Sequence, residues 1–225
     1  MATTTPDTTR STASAAATDA PDGGDAGQEL LVDVILSLDG CAAGEGWPGW
    51  WGLESPEYLE WLAAEPERIG LMGANTYRLM ADMAGKAPGL DVSEEEKASF
   101  AQLDSAEQIV FSATLEEPLA WSNTSLVRTD AIAAVRELKR TATKPLTTVG
   151  SIRLSLALIE AGLVDRFRVV LFPVVTGRTG LERIWEQFGD LSLELLEART
   201  FEGGLQLLEY RPTVLEAPPG TGWER

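Results

Sequence analysis

Three stretches of the chain set a glycine beside groups able to move a proton or hold a phosphate. Residues 37–40 read Ser-Leu-Asp-Gly at the end of an apolar run. Asp39 there could orient or protonate a polar heterocycle, and Gly40 would let the backbone approach a flat ligand. Trp47, Trp50 and Trp51 follow closely, large aromatics able to wall a pocket against water. An ordinary Asp-Gly turn under a loop packed on the core uses the same residues. Gly73 opens the second stretch, with Asn75 and Thr76 behind it; free backbone N–H groups at a helix start, with a threonine hydroxyl, suit an anion. The third repeats the theme in Gly150, Ser151, Ile152 and Arg153. A cation in a first helical turn opposes the helix dipole, and a bound pyrophosphate would account for Arg153. Plain strand-to-helix turns have the same composition, and without the full G-x-G-x-x-G pattern or an assignable acid on the next strand, no Rossmann site is expected.

Composition narrows the chemistry. The chain has 225 residues, 44% of them hydrophobic, which suits one domain with a substantial core. Eighteen basic and thirty-five acidic residues give a net charge of −17, which disfavours nucleic acid and anionic lipid, so any phosphate must be held locally. There is one cysteine, Cys41, and no histidine, which excludes internal disulfides, His-ligated metals and Ser-His or Cys-His catalysis. Cys41 is expected to be a small buried hydrophobe. With no apolar run long enough for a membrane span and no secretory signal pattern, the expected location is cytoplasmic.

Elements that would position these groups alternate along the chain. Residues 1–29 are Thr, Ala, Ser, Asp and Gly with almost no large apolar side chain, and read as a disordered acidic tail. From Leu30, "LLVDVILSL" is a strand buried on both faces, and "SPEYLEWLAAE" a helix with Ser55 as cap and Pro56 in its first turn. "RIGLMG" is a strand, "NTYRLMADMAG" a helix, and "KAPGLDVSEEEKASFAQL" a polar loop with a short helix. "QIVFS" and "SLVRT" are strands, "DAIAAVRELKR" an Asp130-capped helix, "PLTTVG" a strand and "SIRLSLALIEAG" a helix closed by Gly162. "DRFRVVLFPVV" is a long strand, "GRTGLERIWEQFG" reads as a helix, and "LELLEART" with "LQLLEYRP" forms a hairpin; residues 214–225 are a C-terminal tail. The alternation predicts an α/β, doubly wound, mainly parallel sheet with a C-terminal antiparallel hairpin, its ligands beyond the carboxyl ends of the strands.

Taken in order, "SLDG" (37–40), "MGANTY" (72–77), "FSATL" (111–115), "VGSIRL" (149–154) and "AGLVDRFRVVLFPVVTG" (161–177) resemble the dihydrofolate reductase-like fold. Within it they are similar to the RibD C-terminal reductase family and its stand-alone relatives, over residues 30–213. The resemblance implies an NADPH-dependent reductase of a small heterocycle, such as the phosphoribosylamino-uracil of riboflavin synthesis or dihydrofolate. It places Gly73 and Thr76 near one phosphate, Ser112 and Thr114 at the adenosine side, and Gly150, Ser151, Ile152 and Arg153 along the pyrophosphate. Asp39 becomes the catalytic acid, with Ser37, Gly40 and Trp47 toward the substrate. Dihydrofolate reductases proper carry the acid on the helix after the first loop, where Glu57 is the nearest candidate.

Two positions depart from the family pattern. Ala74 and Ala113 stand where bases are usual, and each charge-assisted contact to a 2′-phosphate that is lost costs on the order of 1.5 to 3 kcal/mol. NADH is therefore the alternative cofactor, unless Arg128 supplies the missing charge. Ser151 replaces the second glycine of a usual pair. A non-catalytic ligand-binding or interaction module on the same fold, with the acidic tail as partner arm, is the alternative function; stand-alone relatives suggest a homodimer.

Overall fold

The computed structural model describes residues 27–217 apart from 48, 51, 87–88, 90–96 and 99–104. The strands are β1 (Leu30–Ser37), β2 (Cys41–Gly44), β3 (Ile69–Gly73), β4 (Gln108–Phe111), β5 (Thr124–Val127), β6 (Leu146–Thr148), β7 (Arg166–Phe172), β8 (Gly180–Arg183), β9 (Leu191–Thr200) and β10 (Gln206–Val214). The helices are α1 (Pro56–Ala63), α2 (Ala74–Lys86), α3 (Ala131–Thr141) and α4 (Ile152–Glu160). An eight-stranded sheet has the order β5-β4-β3-β6-β1-β7-β10-β9; β5 to β7 run parallel and the β9–β10 hairpin closes one edge antiparallel. This is the predicted architecture.

Local chemistry sets the helix starts. Ser55 Oγ accepts the Tyr58 N–H at 3.2 Å, with Pro56 in the first turn, and Asp130 Oδ1 accepts the Ile132 N–H at 2.9 Å. Each side-chain cap satisfies an amide that the helix cannot. Gly162, at φ 65°, ends α4 as expected.

Three apolar clusters hold the layers together. Val135 of α3 and Leu158 and Ile159 of α4 pack with Leu30, Val32, Val34 and Leu36 on one face of the sheet. On the opposite face, Tyr58, Trp61 and Leu62 of α1 lie over Val170, Phe172 and Leu207. Tyr77 and Met80 of α2 lie on that face too, against Met72, Val110 and Trp121. Between α1 and α2 the middle of the sheet is left uncovered, so Ile35, on a central strand, keeps 37% of its surface exposed.

Several expectations change. The segment read as a helix at "GRTGLERIWEQFG" contains β8, which pairs antiparallel with β2 in a separate two-stranded ribbon. The partners lie far apart in sequence, so local periodicity could not reveal them. The N-terminal boundary also moves: the Gln28 N–H donates to the Lys139 carbonyl at 2.6 Å, and Glu29 pairs with Arg68 at 2.8 Å, so residues 28–29 belong to the domain. At the other end β10 runs to Val214, and the Leu215 N–H bonds the Asp190 carbonyl at 2.9 Å. Residues 1–26 and 218–225, Trp51, and most of the loop expected to hold a short helix lie outside the described residues. No helix among the described residues is long and apolar enough to cross a membrane.

Candidate active site

The uncovered part of the sheet is the floor of a cleft of about 1230 Å³. Asp33 and Ile35 of β1 and Thr147 and Thr148 of β6 line it, with Tyr58, Leu59 and Leu62 of α1 on one wall and Thr76, Leu79 and Met80 of α2 on the other. Trp47 and Trp50 border it, 5.6 Å apart edge to face, and the buried Trp50 donates its ring N–H to the Cys41 carbonyl at 3.1 Å. Cys41 itself is fully buried, as expected.

Both glycine-led helix starts open into this cleft. β3 and β6 are neighbours in register, Leu71 opposite Thr148, so their exits emerge side by side. Gly73, Thr76, Gly150, Ser151, Ile152 and Arg153 all line the cleft. Ser151 adopts a left-handed conformation (φ 59°) and makes no capping bond; its hydroxyl accepts the Gly73 N–H at 2.8 Å and donates to Thr76 Oγ1 at 2.7 Å. That bond engages the Gly73 amide, so this N–H, expected near a phosphate, already has a partner within the chain. At the start of α4 the Leu154 N–H already donates to the Ser151 carbonyl at 2.8 Å, which leaves the amides before it as the available donors, and the Thr76 hydroxyl retains its proton to donate. Gly150 sits at φ 54° with Thr76 Cγ2 3.1 Å from where a β-carbon would stand, so the close approach requires glycine.

The cleft also holds an acid that belongs to none of these motifs. Asp33 interrupts the apolar β1 and shares a cross-strand row with Arg168 of β7 and Glu209 of β10. Arg168 donates to Glu209 and Glu65, each at 2.6 Å, stacks 4.7 Å from the Trp61 ring centre, and stands 3.5 Å from Asp33 Oδ2. Asp33 Oδ1 is buried with no hydrogen-bond partner among the described residues. Burial outweighs the attraction of Arg168 and pushes the Asp33 carboxyl up to about 6. Burial, with Asp33 nearby, keeps the Tyr58 phenol neutral. The available signal was an acid inside an apolar strand, a placement that demands a partner or a function.

The Ser-Leu-Asp-Gly residues do other work. The Asp39 carboxylate accepts the Ser37 hydroxyl at 2.7 Å, the Thr176 N–H at 3.1 Å, the Thr176 hydroxyl at 3.2 Å and the Gly177 N–H at 2.9 Å. These donors hold its pKa well below the usual carboxylate range, so it is a poor proton donor. Neither Ser37, Asp39 nor Gly40 lines the cleft. Gly40, at φ 83°, carries Trp185 instead of a ligand: an added β-carbon would stand 2.3 Å from that ring. Glu57 faces elsewhere too, accepting the Glu202 N–H at 2.9 Å.

Ser112, Thr114 and Arg128 follow β4 and β5, successively farther out on the same carboxyl edge, and do not line the cleft. Ser112 Oγ closes a local turn by accepting the Thr114 and Leu115 amides at 3.1 and 3.0 Å, and Arg128 is exposed.

A mainly parallel sheet of this order, with a cleft over its carboxyl ends and an antiparallel edge hairpin, defines a dihydrofolate reductase-like fold. The chain belongs to the RibD C-terminal domain family, a family of reductases, whose model matches residues 28–207. It is 25% identical to the uncharacterized protein YyaP of Bacillus subtilis (strain 168) over 185 residues, 81% of this chain and 94% of that one. A candidate riboflavin biosynthesis protein from Shewanella sp. PV-4 superposes with a TM-score of 0.58 at 17% identity, covering 82% of this chain and 99% of that one. The deaminase/5-amino-6-(5-phosphoribosylamino)uracil reductase of Thermotoga maritima gives 0.57 at 16% identity, over 83% of this chain and 57% of the longer protein.

Proposed function

We propose that the protein is a nicotinamide-dinucleotide-dependent reductase of a small heterocycle, with NADPH as cofactor and NADH as the alternative. The carrying observation is one continuous cleft that joins the paired helix starts to Asp33. Drug-sized ligands occupy pockets of roughly 300 to 1,000 Å³, so the observed volume suits a cofactor and a substrate together. The donor set fits a pyrophosphate: first-turn amides of α2 and α4, the Thr76 hydroxyl and Arg153. Bound there, the dinucleotide would supply the hydride.

The chain's own task is alignment, exclusion of water and delivery of a proton. Trp47, Trp50, Ile35 and Leu79 offer flat or apolar surfaces against which a ring can lie. Asp33, raised to about 6, keeps a usable protonated fraction near neutrality and is the group we assign to protonating the substrate nitrogen as its carbon is reduced. The family suggests two substrate types, a phosphoribosyl pyrimidine or an unphosphorylated pterin-like ring.

Titration of the full chain with NADPH and NADH, followed by turnover with pyrimidine and pterin substrates, tests the reading. Dinucleotide binding with nicotinamide oxidation supports it; failure of both dinucleotides to bind overturns it. Engagement of the Gly73 amide by Ser151 favours the non-catalytic module, which predicts heterocycle binding without any oxidation.

A further inference from the structure

We infer that Glu65, at the end of α1, is a positioning residue for the proposed reaction: by occupying Arg168 it keeps that guanidinium from neutralising Asp33, and so links a wall of the cleft to the proton of the acid in its floor. The coupling itself stands on the ion pairs; only its effect on turnover rests on the reductase reading.

Arg168 is the point where three elements meet. It stands on β7 between Asp33 of β1 and Glu209 of β10, and its side chain is 5% exposed. Nε donates to Glu209 and Nη2 to Glu65, each at 2.6 Å. Nη1 lies 3.5 Å from Asp33 Oδ2, an ion pair too long for a well-formed hydrogen bond. Glu65 directly follows Ala64, the C-cap of α1, and Trp61 of the same helix stacks on the guanidinium. α1 therefore reaches this cation through two side chains, while its Tyr58 and Leu62 line the cleft that Asp33 also lines.

The other elements around Asp33 bring no second cation to it among the described residues. β6 contributes Thr148, whose hydroxyl accepts the Asp33 N–H at 3.3 Å, and α2 contributes the uncharged Leu79 and Met80 to the cleft. α1 contributes the neutral Tyr58 phenol, on which the Glu54 carboxylate also acts. Arg166 is engaged by Glu209 at 3.0 Å.

Charge then sets the direction of the effect. Burial raises Asp33, Arg168 opposes the rise, and Glu209 and Glu65 add to it. Glu209 is almost fully buried, whereas the Glu65 side chain is 25% exposed and open to substitution. Neutralising Glu65 removes a like charge and releases Nη2, so Asp33 should give up its proton at lower pH. The coupling is reciprocal: a protonated Asp33 leaves Arg168 to Glu65 and seats the end of α1 more firmly.

A carboxyl-detected NMR titration of the full chain, labelled with 13C-aspartate, tests this; the Asp33 signal is assigned by its loss in Asp33→Asn. Glu65→Gln keeps an oxygen to accept the Arg168 N–H and should lower the Asp33 midpoint by about half a unit to one unit. Glu65→Asp draws the carboxylate back by one methylene; it should shift the midpoint less, in the same direction, and serves where the glutamine variant does not fold. Glu60→Gln removes the same charge from an exposed position on α1 and should leave Asp33 in place. The alkaline fall of turnover should move with the midpoint. A midpoint that Glu65→Gln leaves unmoved or raises, or that Glu60→Gln moves as far, overturns the inference. A midpoint that shifts while the pH dependence of turnover does not supports the coupling and strikes the assignment of the transferred proton to Asp33, so the two failures are distinguishable.

Discussion

Asp33→Asn should make the protein more stable at neutral pH while removing most of its turnover. The Asp33 side chain is 22% exposed, and its pKa stands at about 6 against an ordinary 3.8. A raised carboxylate pKa means that the folded chain holds its proton more tightly than the unfolded chain. Stability therefore falls as pH rises between those two values and is level above them. At ~1.36 kcal/mol per pKa unit, an ionised Asp33 costs the fold about 3 kcal/mol at pH 7. Asparagine keeps the shape without the charge, and Arg168 keeps Glu209 and Glu65, so the cation is not left alone. Urea unfolding of both proteins across a pH series measures the effect. The difference between them isolates Asp33 from Asp39, whose depressed pKa acts in the opposite sense, its stabilisation being lost as pH falls below the usual carboxylate range. The expected difference is near zero at about pH 4 and rises to about 2 to 3 kcal/mol above about pH 7. Turnover by the variant should drop by about 100-fold or more. A difference that is flat with pH, or that favours the wild type at neutrality, would show that the Arg168 attraction dominates and that the carboxyl is no reservoir of protons.

Three further substitutions probe other parts of the site. Asp39→Ala removes an acceptor of four hydrogen bonds and should lower unfolding free energy by on the order of 1 to 2 kcal/mol; because the carboxylate is partly exposed, most of each bond is replaced by water. The turnover that survives separates this positioning task from a catalytic one: a fall comparable to that of Asp33→Asn would restore Asp39 to the reacting centre. Gly40→Ala meets both a left-handed backbone and the Trp185 ring, and thermal melting should register a loss of about 2 to 3 kcal/mol. Thr76→Val keeps the shape but deletes the hydroxyl bound to Ser151, and should weaken dinucleotide affinity about tenfold in a direct titration, with heterocycle binding unchanged.

Much of the architecture was legible because its signals are local. Ser55 and Asp130 announce their helices, Gly162 ends one, and the alternation of apolar runs with helical periodicity gives a parallel sheet with an edge hairpin. The β2–β8 ribbon was not legible. Cys41–Gly44 has no strand-forming side chains beyond its cysteine, and pairs only because the Asp39 knot carries residues 176–177 to the end of β1. The two helix starts line one cleft, but the bond from Gly73 to Ser151 depends on a side-chain direction that spacing does not encode. Asp33 was hidden by its neighbours: in "LLVDVILS" one polar residue reads as tolerance in a buried strand until register sets it opposite Arg168.

The site divides its labour in a way that follows from charge. Asp39, bonded by four donors, is content as an anion, and an acid so satisfied can fix a loop but has no reason to hold a proton. Asp33 is the reverse: its neighbouring arginine also serves two other carboxylates, one of its oxygens lacks a hydrogen-bond partner among the described residues, and burial resists its charge. Two aspartates six residues apart on one strand and its exit thus take opposite protonation behaviour from their surroundings alone. In the proposed reaction, proton transfer therefore falls to Asp33, the acid whose surroundings favour holding a proton, and not to Asp39, whose surroundings favour the anion.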